Sequence, residues 1–135
     1  MQINAYLHFN GNAEEVLEFY RGALGGEVEI MRFAGSPAAA SVPDDWGNKV
    51  LHGVLRSPAG QLMASDATKE RVNNPGDNFA LSIGTEDEAE ADAVFAKLSA
   101  GGTVTMPFEK TFWGAKFGMF TDKYGISWML NCQLS

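Results

Sequence analysis

Two residues with acid–base chemistry stand on neighbouring apolar runs. His52 lies inside "VLHGVL" and Asp66 closes "MASDA". An imidazole and a carboxylate brought together across a hairpin can exchange a proton with a substrate. The plainer alternative is a hydrogen-bonded strand histidine and an aspartate that ends a strand and opens a turn. The second histidine, His8, sits beside Asn10 and Asn12 and reads as solvated or capping. Cys132 is the single cysteine, with no histidine near it in the sequence. It reads as a buried, inert thiol. Aromatic residues form the other group. Phe112 and Trp113, in "TFWGAKFG", suit the wall of a pocket for a planar or apolar ligand, and equally a core or an interface. Trp46, in a 14-residue loop over 35–48, is a candidate lid. No G-x-S-x-G element, phosphate loop or C-x-x-C pair is present.

The elements that must position these residues follow from periodicity. "INAYLHFN" alternates as a strand. "GNAEEVLEFYRGALGG" is a helix with Asn12 at its N-cap and Val16, Leu17, Tyr20 and Leu24 in one stripe. Gly25-Gly26 closes it. "EVEIMRF", "KVLHGVLRS" and "QLMASDA" are strands. The polar "TKERVNNPGD" connects two halves. The order then recurs: strand "NFALSIG", helix "TEDEAEADAVFAKLSAGG", strands "TVTMPFEK", "GAKFGMFT" and "ISWMLNC". The acidic start of the second helix suits the helix dipole. The expected fold class is α+β, with two βαβββ modules forming a curved mixed sheet around a cleft. Module 1 covers 1–66, the connection 67–77 and module 2 78–135.

Bulk properties set limits. A chain of 135 residues with 45% hydrophobic content holds one compact domain or two half-domains. The net charge of −7, without a local basic stripe, disfavours nucleic acid as a partner. No apolar run reaches the length of a membrane span, and the N-terminus lacks the pattern of a secretory signal. One cysteine cannot form an internal disulfide, which suits a cytoplasmic location.

The motifs "EEVLEFYRGALGGE" and "TDKYGISWMLN", with "KVLHGVLRSPAGQLMASD" and "FWGAKFGMFTDKYGISWM", resemble the vicinal oxygen chelate superfamily. That group includes glyoxalase I, bleomycin-resistance proteins and extradiol dioxygenases, and the resemblance is strongest to its PhnB-like branch. It covers nearly the whole chain and implies a homodimer. In metal-dependent members, the first and last strand of each half supply one ligand each. Matched residue by residue, these positions fall on Ala5, Ala64, Asn78 and Met129, with an uncertainty of one that would reach Ser65 or Phe79. A divalent ion needs about three or four hard or borderline donors. The expectation is therefore no metal and no cofactor.

The branch often carries a methyltransferase label, but no Gly-rich turn follows a strand and opens a helix as a methyl-donor nucleotide would require. The expected function is metal-free binding of a small apolar or aromatic ligand. Its site would be lined by Ala5, Leu7, Asn78, Ser82 and Met129, with Trp46, Phe112 and Trp113 as walls. The alternatives are a lyase, isomerase or dioxygenase using a displaced metal or the His52/Asp66 pair, and a non-catalytic dimeric module.

Overall fold

The structure is a computed structural model and describes residues 1–68 and 71–134. The chain forms two units, Met1–Asn74 and Pro75–Ser135. The boundary falls inside the polar 67–77 stretch. Among the described residues no helix is long and apolar enough to cross a membrane.

The first unit runs β1 (Ala5–Phe9), α1 (Ala13–Leu24), β2 (Glu27–Arg32), β3 (Val50–Ser57) and β4 (Gly60–Asp66). Its sheet order is β1-β4-β3-β2, with β1 parallel to β4 and the other pairs antiparallel. The second unit runs β5 (Leu81–Thr85), α2 (Glu88–Ser99), β6 (Thr103–Lys110), β7 (Ala115–Thr121) and β8 (Ser127–Gln133). Its order is β5-β8-β7-β6, again with first and last strands parallel. The α+β, twice-βαβββ reading thus holds element by element.

Each sheet packs its helix on one face. In α1 the stripe Ala13, Val16, Leu17 and Tyr20 is fully buried. A Cβ on Gly53 would lie 2.8 Å from Leu17 Cδ1, so Gly53 faces the helix. Its ladder partner Ala64, and Leu7 beyond it, share that face. In the second unit a Cβ on Gly118 would lie 2.7 Å from Phe95 Cε2. Gly118, Leu130, Phe120 and Trp128 therefore face α2. Phe120 stacks with Trp128 and meets Phe95 edge-on.

The glycine pairs that close the helices have a packing reason. A Cβ on Gly26 would collide with the Arg56 carbonyl oxygen, and one on Gly102 with that of Thr121. Each helix exit thus presses against the backbone of a neighbouring strand, in the same way in both units.

Each unit also contains one buried aspartate used as a hydrogen-bond hub. Asp66 is 4% exposed. Its Oδ1 accepts from Gly11 N–H and Ala13 N–H, and its Oδ2 from Val50 N–H, all at 2.9 Å. Asn12 occupies the N-cap position as expected, yet its side chain makes no capping bond. Asp66 supplies that acceptor from the end of β4. Asp122 is 3% exposed. It accepts from Tyr124 N–H (2.9 Å), Ile126 N–H (3.1 Å) and Trp128 Nε1–H (2.9 Å).

Removing such a carboxylate strands several buried donors, each costing about 1–3 kcal/mol. Asp66→Ala is expected to lower unfolding stability by about 3 kcal/mol or more, and Asp66→Asn, which keeps one acceptor, by less. Urea denaturation followed by circular dichroism measures both. An unchanged midpoint in Asp66→Ala would rule out the hub.

Candidate functional site

Strand alternation divides the site residues between two faces. In the first unit the face opposite α1, the far face, carries Tyr6 and His8 from β1 and Met63 and Ser65 from β4. It also carries His52 from β3 and Met31 from β2. In the second unit the far face carries Ser82, Met119, Met129, Phe117 and Asn131.

The first far face has an aromatic cluster. Tyr6 Oη and His52 Nδ1 share a hydrogen bond at 3.1 Å, its direction set by the imidazole tautomer. The Tyr6 ring lies 5.1 Å from His8 and 5.7 Å from His52, centroid to centroid. A pocket of about 420 Å³ opens beside it, at the C-terminal ends of β1 and β4. His8 and Ser65 are paired across these strands and belong to its lining, with Thr68, Arg71 and Asn73 on the segments beyond.

Backbone and side-chain bonds hold this rim. Ala67 N–H donates to the Phe9 carbonyl at 2.7 Å. Asn73 N–H donates to Asn10 Oδ1 at 2.8 Å, and Asn10 Nδ2 returns a bond to the Asn73 carbonyl at 2.9 Å.

Several expectations change. His52 and Asp66 are not brought together. Gly53 pairs with Ala64, which puts His52 level with Ser65 and turns Asp66 to the helix side. Asp66 is committed to three backbone N–H groups, while His52 bonds Tyr6. Leu7 is core, 7% exposed, and Ala5 shares its face. Ala64 is wholly buried on that same face. A one-residue offset moves a side chain to the other side of a sheet, and the far-face neighbours are Tyr6, His8, Met63 and Ser65. Asn78 lies in an exposed bend before β5, not on the strand.

Trp46 is not a free-standing lid. It ends a short 3-10 helix (Asp44–Trp46), donates from Nε1 to the Ala67 carbonyl at 3.0 Å, and packs over Gly11. Lys49 Nζ sits 5.5 Å from its ring centre. Other expected positions do reach a far face or the surface. Met129 pairs with Ser82 and Met119. Phe112 and Trp113 are exposed after β6, in T-shaped contact at 5.1 Å, and Trp113 continues to Phe117 at 6.0 Å.

Tyr6, His8 and Arg71 were not singled out from the sequence as binding residues. The alternation of "AYLHF" already put Tyr6 and His8 on one face; nothing in "TKERVNN" marked Arg71. Cys132 is buried, and burial, reinforced by the nearby acidic residues Glu88, Asp87 and Asp92, pushes its thiol up. That is the behaviour of an inert thiol.

A family model described as 3-demethylubiquinone-9 3-methyltransferase matches residues 1–131. The chain belongs to that family. It is similar to protein YjdN of Escherichia coli strain K12, at 29% identity over 97% of this chain and 95% of that one. It is also similar to the crystal structure of PA1353 from Pseudomonas aeruginosa: 40% identity, 100% and 99% of the two chains, TM-score 0.87. The PhnB protein of Bacillus cereus aligns over 100% of both chains at 29% identity and TM-score 0.72. A member of the glyoxalase/bleomycin resistance protein/dioxygenase superfamily from Sphaerobacter thermophilus shares the fold, at 21% identity, 98% of both chains and TM-score 0.59. The chain is thus PhnB- and YjdN-like, with the fold of that superfamily member.

Neither group that these relationships imply fits the residues present. A methyl-donor nucleotide in a doubly wound fold uses the turn from strand to helix. Here the turn before α1 is filled by the Asp66 carboxylate and covered by Trp46. The N-terminus of α2 is capped by Asp87, which accepts from Glu90 N–H at 3.1 Å. For a metal, no three His, Cys, Asp or Glu side chains converge among the described residues. The far-face strand positions hold tyrosine, histidine, serine, asparagine and methionine instead.

As a buttress, Trp46 contributes through its hydrogen bond. Trp46→Phe is expected to lower stability by about 1 kcal/mol and to speed hydrogen exchange at Ala67. A lid would leave both unchanged, and native-state exchange followed by NMR separates the two roles.

Proposed function

We propose that this protein binds a small apolar or aromatic molecule on the far faces of its sheets, without a metal ion. The observation that carries the reading is the make-up of those faces. Met31, Met63, Tyr6 and His52 pave one. Met119, Met129 and Phe117 pave the other, with Trp113 at its margin. Methionine is flexible and polarizable, and adapts to irregular apolar ligands. The tyrosine ring adds a flat surface with a polar tip. The metal-free part of the reading is supported by the donor set, which lacks the three or four hard ligands a divalent site needs.

We take the chain to act as a homodimer in the cytoplasm. The dimer is supported by the exposed Phe112 and Trp113 and by β6, where Val104 and Met106 are also exposed. One cysteine without a disulfide partner suits the location.

The Tyr6–His52 hydrogen bond favours a second reading, an isomerase or lyase in which a phenol and an imidazole move a proton. It replaces the His52/Asp66 pair as the acid–base candidate. Turnover of any substrate that His52→Ala abolishes, with the fold intact, would establish it.

The neutral fluorophore N-phenyl-1-naphthylamine tests the first reading. Binding is expected to weaken about fivefold in Tyr6→Ala, the scale of one lost aromatic contact. Stoichiometric zinc, nickel or manganese in the purified protein, or no binding of the probe, would overturn it.

A further inference from the structure

We propose that the pocket at the ends of β1 and β4 is an oxyanion site, so that the ligand is an acid: an apolar or aromatic body with a carboxylate, phosphate or sulfonate head. The proposal rests on the reading that the far face of the first unit holds the body.

The argument begins with charge. The protein carries a net charge of −7, so a cationic pocket needs a local cause. Arg71 lines the pocket, and its guanidinium has no ion pair among the described residues. The other arginines on this unit are used. Arg21 pairs with Glu18 at 2.7 Å, Arg32 with Glu14 at 2.9 Å and Arg56 with Glu29 at 2.8 Å. A planar guanidinium with five N–H donors suits a bidentate oxyanion.

The other polar side chains of the lining agree with this. Ser65 and Thr68 bring hydroxyls and His8 an imidazole to the same pocket. The one carboxylate among the described lining residues, Asp66, does not oppose an anion as a free charge would. Its two oxygens already accept three backbone N–H groups, at the positive end of α1.

Rigidity is built in. Arg71 N–H donates to the Thr68 carbonyl at 3.0 Å. Two residues beyond Arg71, Asn73 is clamped to Asn10 at the end of β1. Trp46 holds Ala67 from behind. A preorganised donor set loses less entropy on binding than a mobile one.

His8 joins the pocket to the aromatic face. It lines the pocket, and its ring lies 5.1 Å from Tyr6. A ligand whose head meets Arg71 would therefore lay its body towards Tyr6, His52 and Met63.

Two fluorophores of similar shape separate head from body: the anionic 8-anilino-1-naphthalenesulfonate and the neutral N-phenyl-1-naphthylamine. The wild-type protein is expected to prefer the anionic probe. Arg71→Gln should weaken that probe about tenfold, the loss of one charge-assisted hydrogen-bonded contact, and leave the neutral one unchanged. Lys97→Gln makes the same charge change on α2 and should alter neither. Equal affinities in the wild type, or a preference that survives Arg71→Gln, overturn the oxyanion site and leave the far-face reading standing. If neither probe binds, the far-face reading fails. Titration with inorganic phosphate or benzoate, read from the Thr68 and Arg71 amide NMR signals, then decides the pocket alone. Shifts lost in Arg71→Gln support it, and their absence overturns it; the stronger of the two anions tells a phosphate head from a carboxylate.

Discussion

The first unit depends on one carboxylate. Asp66 gathers the turn before α1, the first residue of the helix and the first residue of β3 onto two oxygen atoms. Those three N–H groups come from two segments, the entry of α1 and the start of β3, and each would otherwise be a donor without that partner. Because Asp66 ends β4, it also fixes where the chain leaves the sheet. The segment that follows, tied through Ala67 to Phe9 and Trp46, becomes the rim of the pocket. The hub and the pocket are thus consecutive in the chain: the same residue that holds the helix sets the starting point of the lining.

The far faces invert what the superfamily resemblance implies about its metal-dependent members. There, strand positions facing the interior carry imidazole and carboxylate. Here Met129 lies level with Ser82 and Met119, and Tyr6 and Met63 are paired across β1 and β4. In the metal-free reading proposed above, orientation comes from shape and from fixed polar groups at one edge. His8, Ser65 and Arg71 are in a position to supply that edge. The family description, by contrast, names a methyl transfer, while the turn before α1 is occupied by the Asp66 carboxylate and covered by Trp46.

Most of the fold was legible in the sequence. The order of strands and helices, the glycine pairs and the polar connection all follow from local periodicity and turn chemistry. Trp128 lies on the helix side because it alternates with Met129. The site was legible only in part. Counting along a motif gives a position to within one residue, and in a strand one residue separates the helix face from the far face. Ala5, Leu7 and Ala64 lie on the helix face, while Met129 and Ser82 lie on the far face. From the sequence, Asp66 reads as an acid–base partner or a strand-ending turn residue, and Trp46 as a lid. Their partners are backbone groups, which a sequence does not mark. Arg71 gave no signal, since its place in the pocket lining comes from the fold and not from its neighbours in the sequence.

The two aspartate hubs differ in how far they reach along the chain. The partners of Asp122 lie two, four and six residues on, so its bonds can form as soon as that turn exists. The bond from Asp66 to Ala13 spans 53 residues. During synthesis, the first residue of α1 emerges that many residues ahead of the carboxylate that caps it. At typical elongation rates that interval is roughly 3–10 s. A 12-residue helix is marginal alone, and closing the first unit requires a long-range parallel pairing, a slow class of folding event. The N-terminal half of this chain is therefore the half that spends longest with an unpaired strand edge and an exposed apolar stripe, and the half with most to gain from a chaperone.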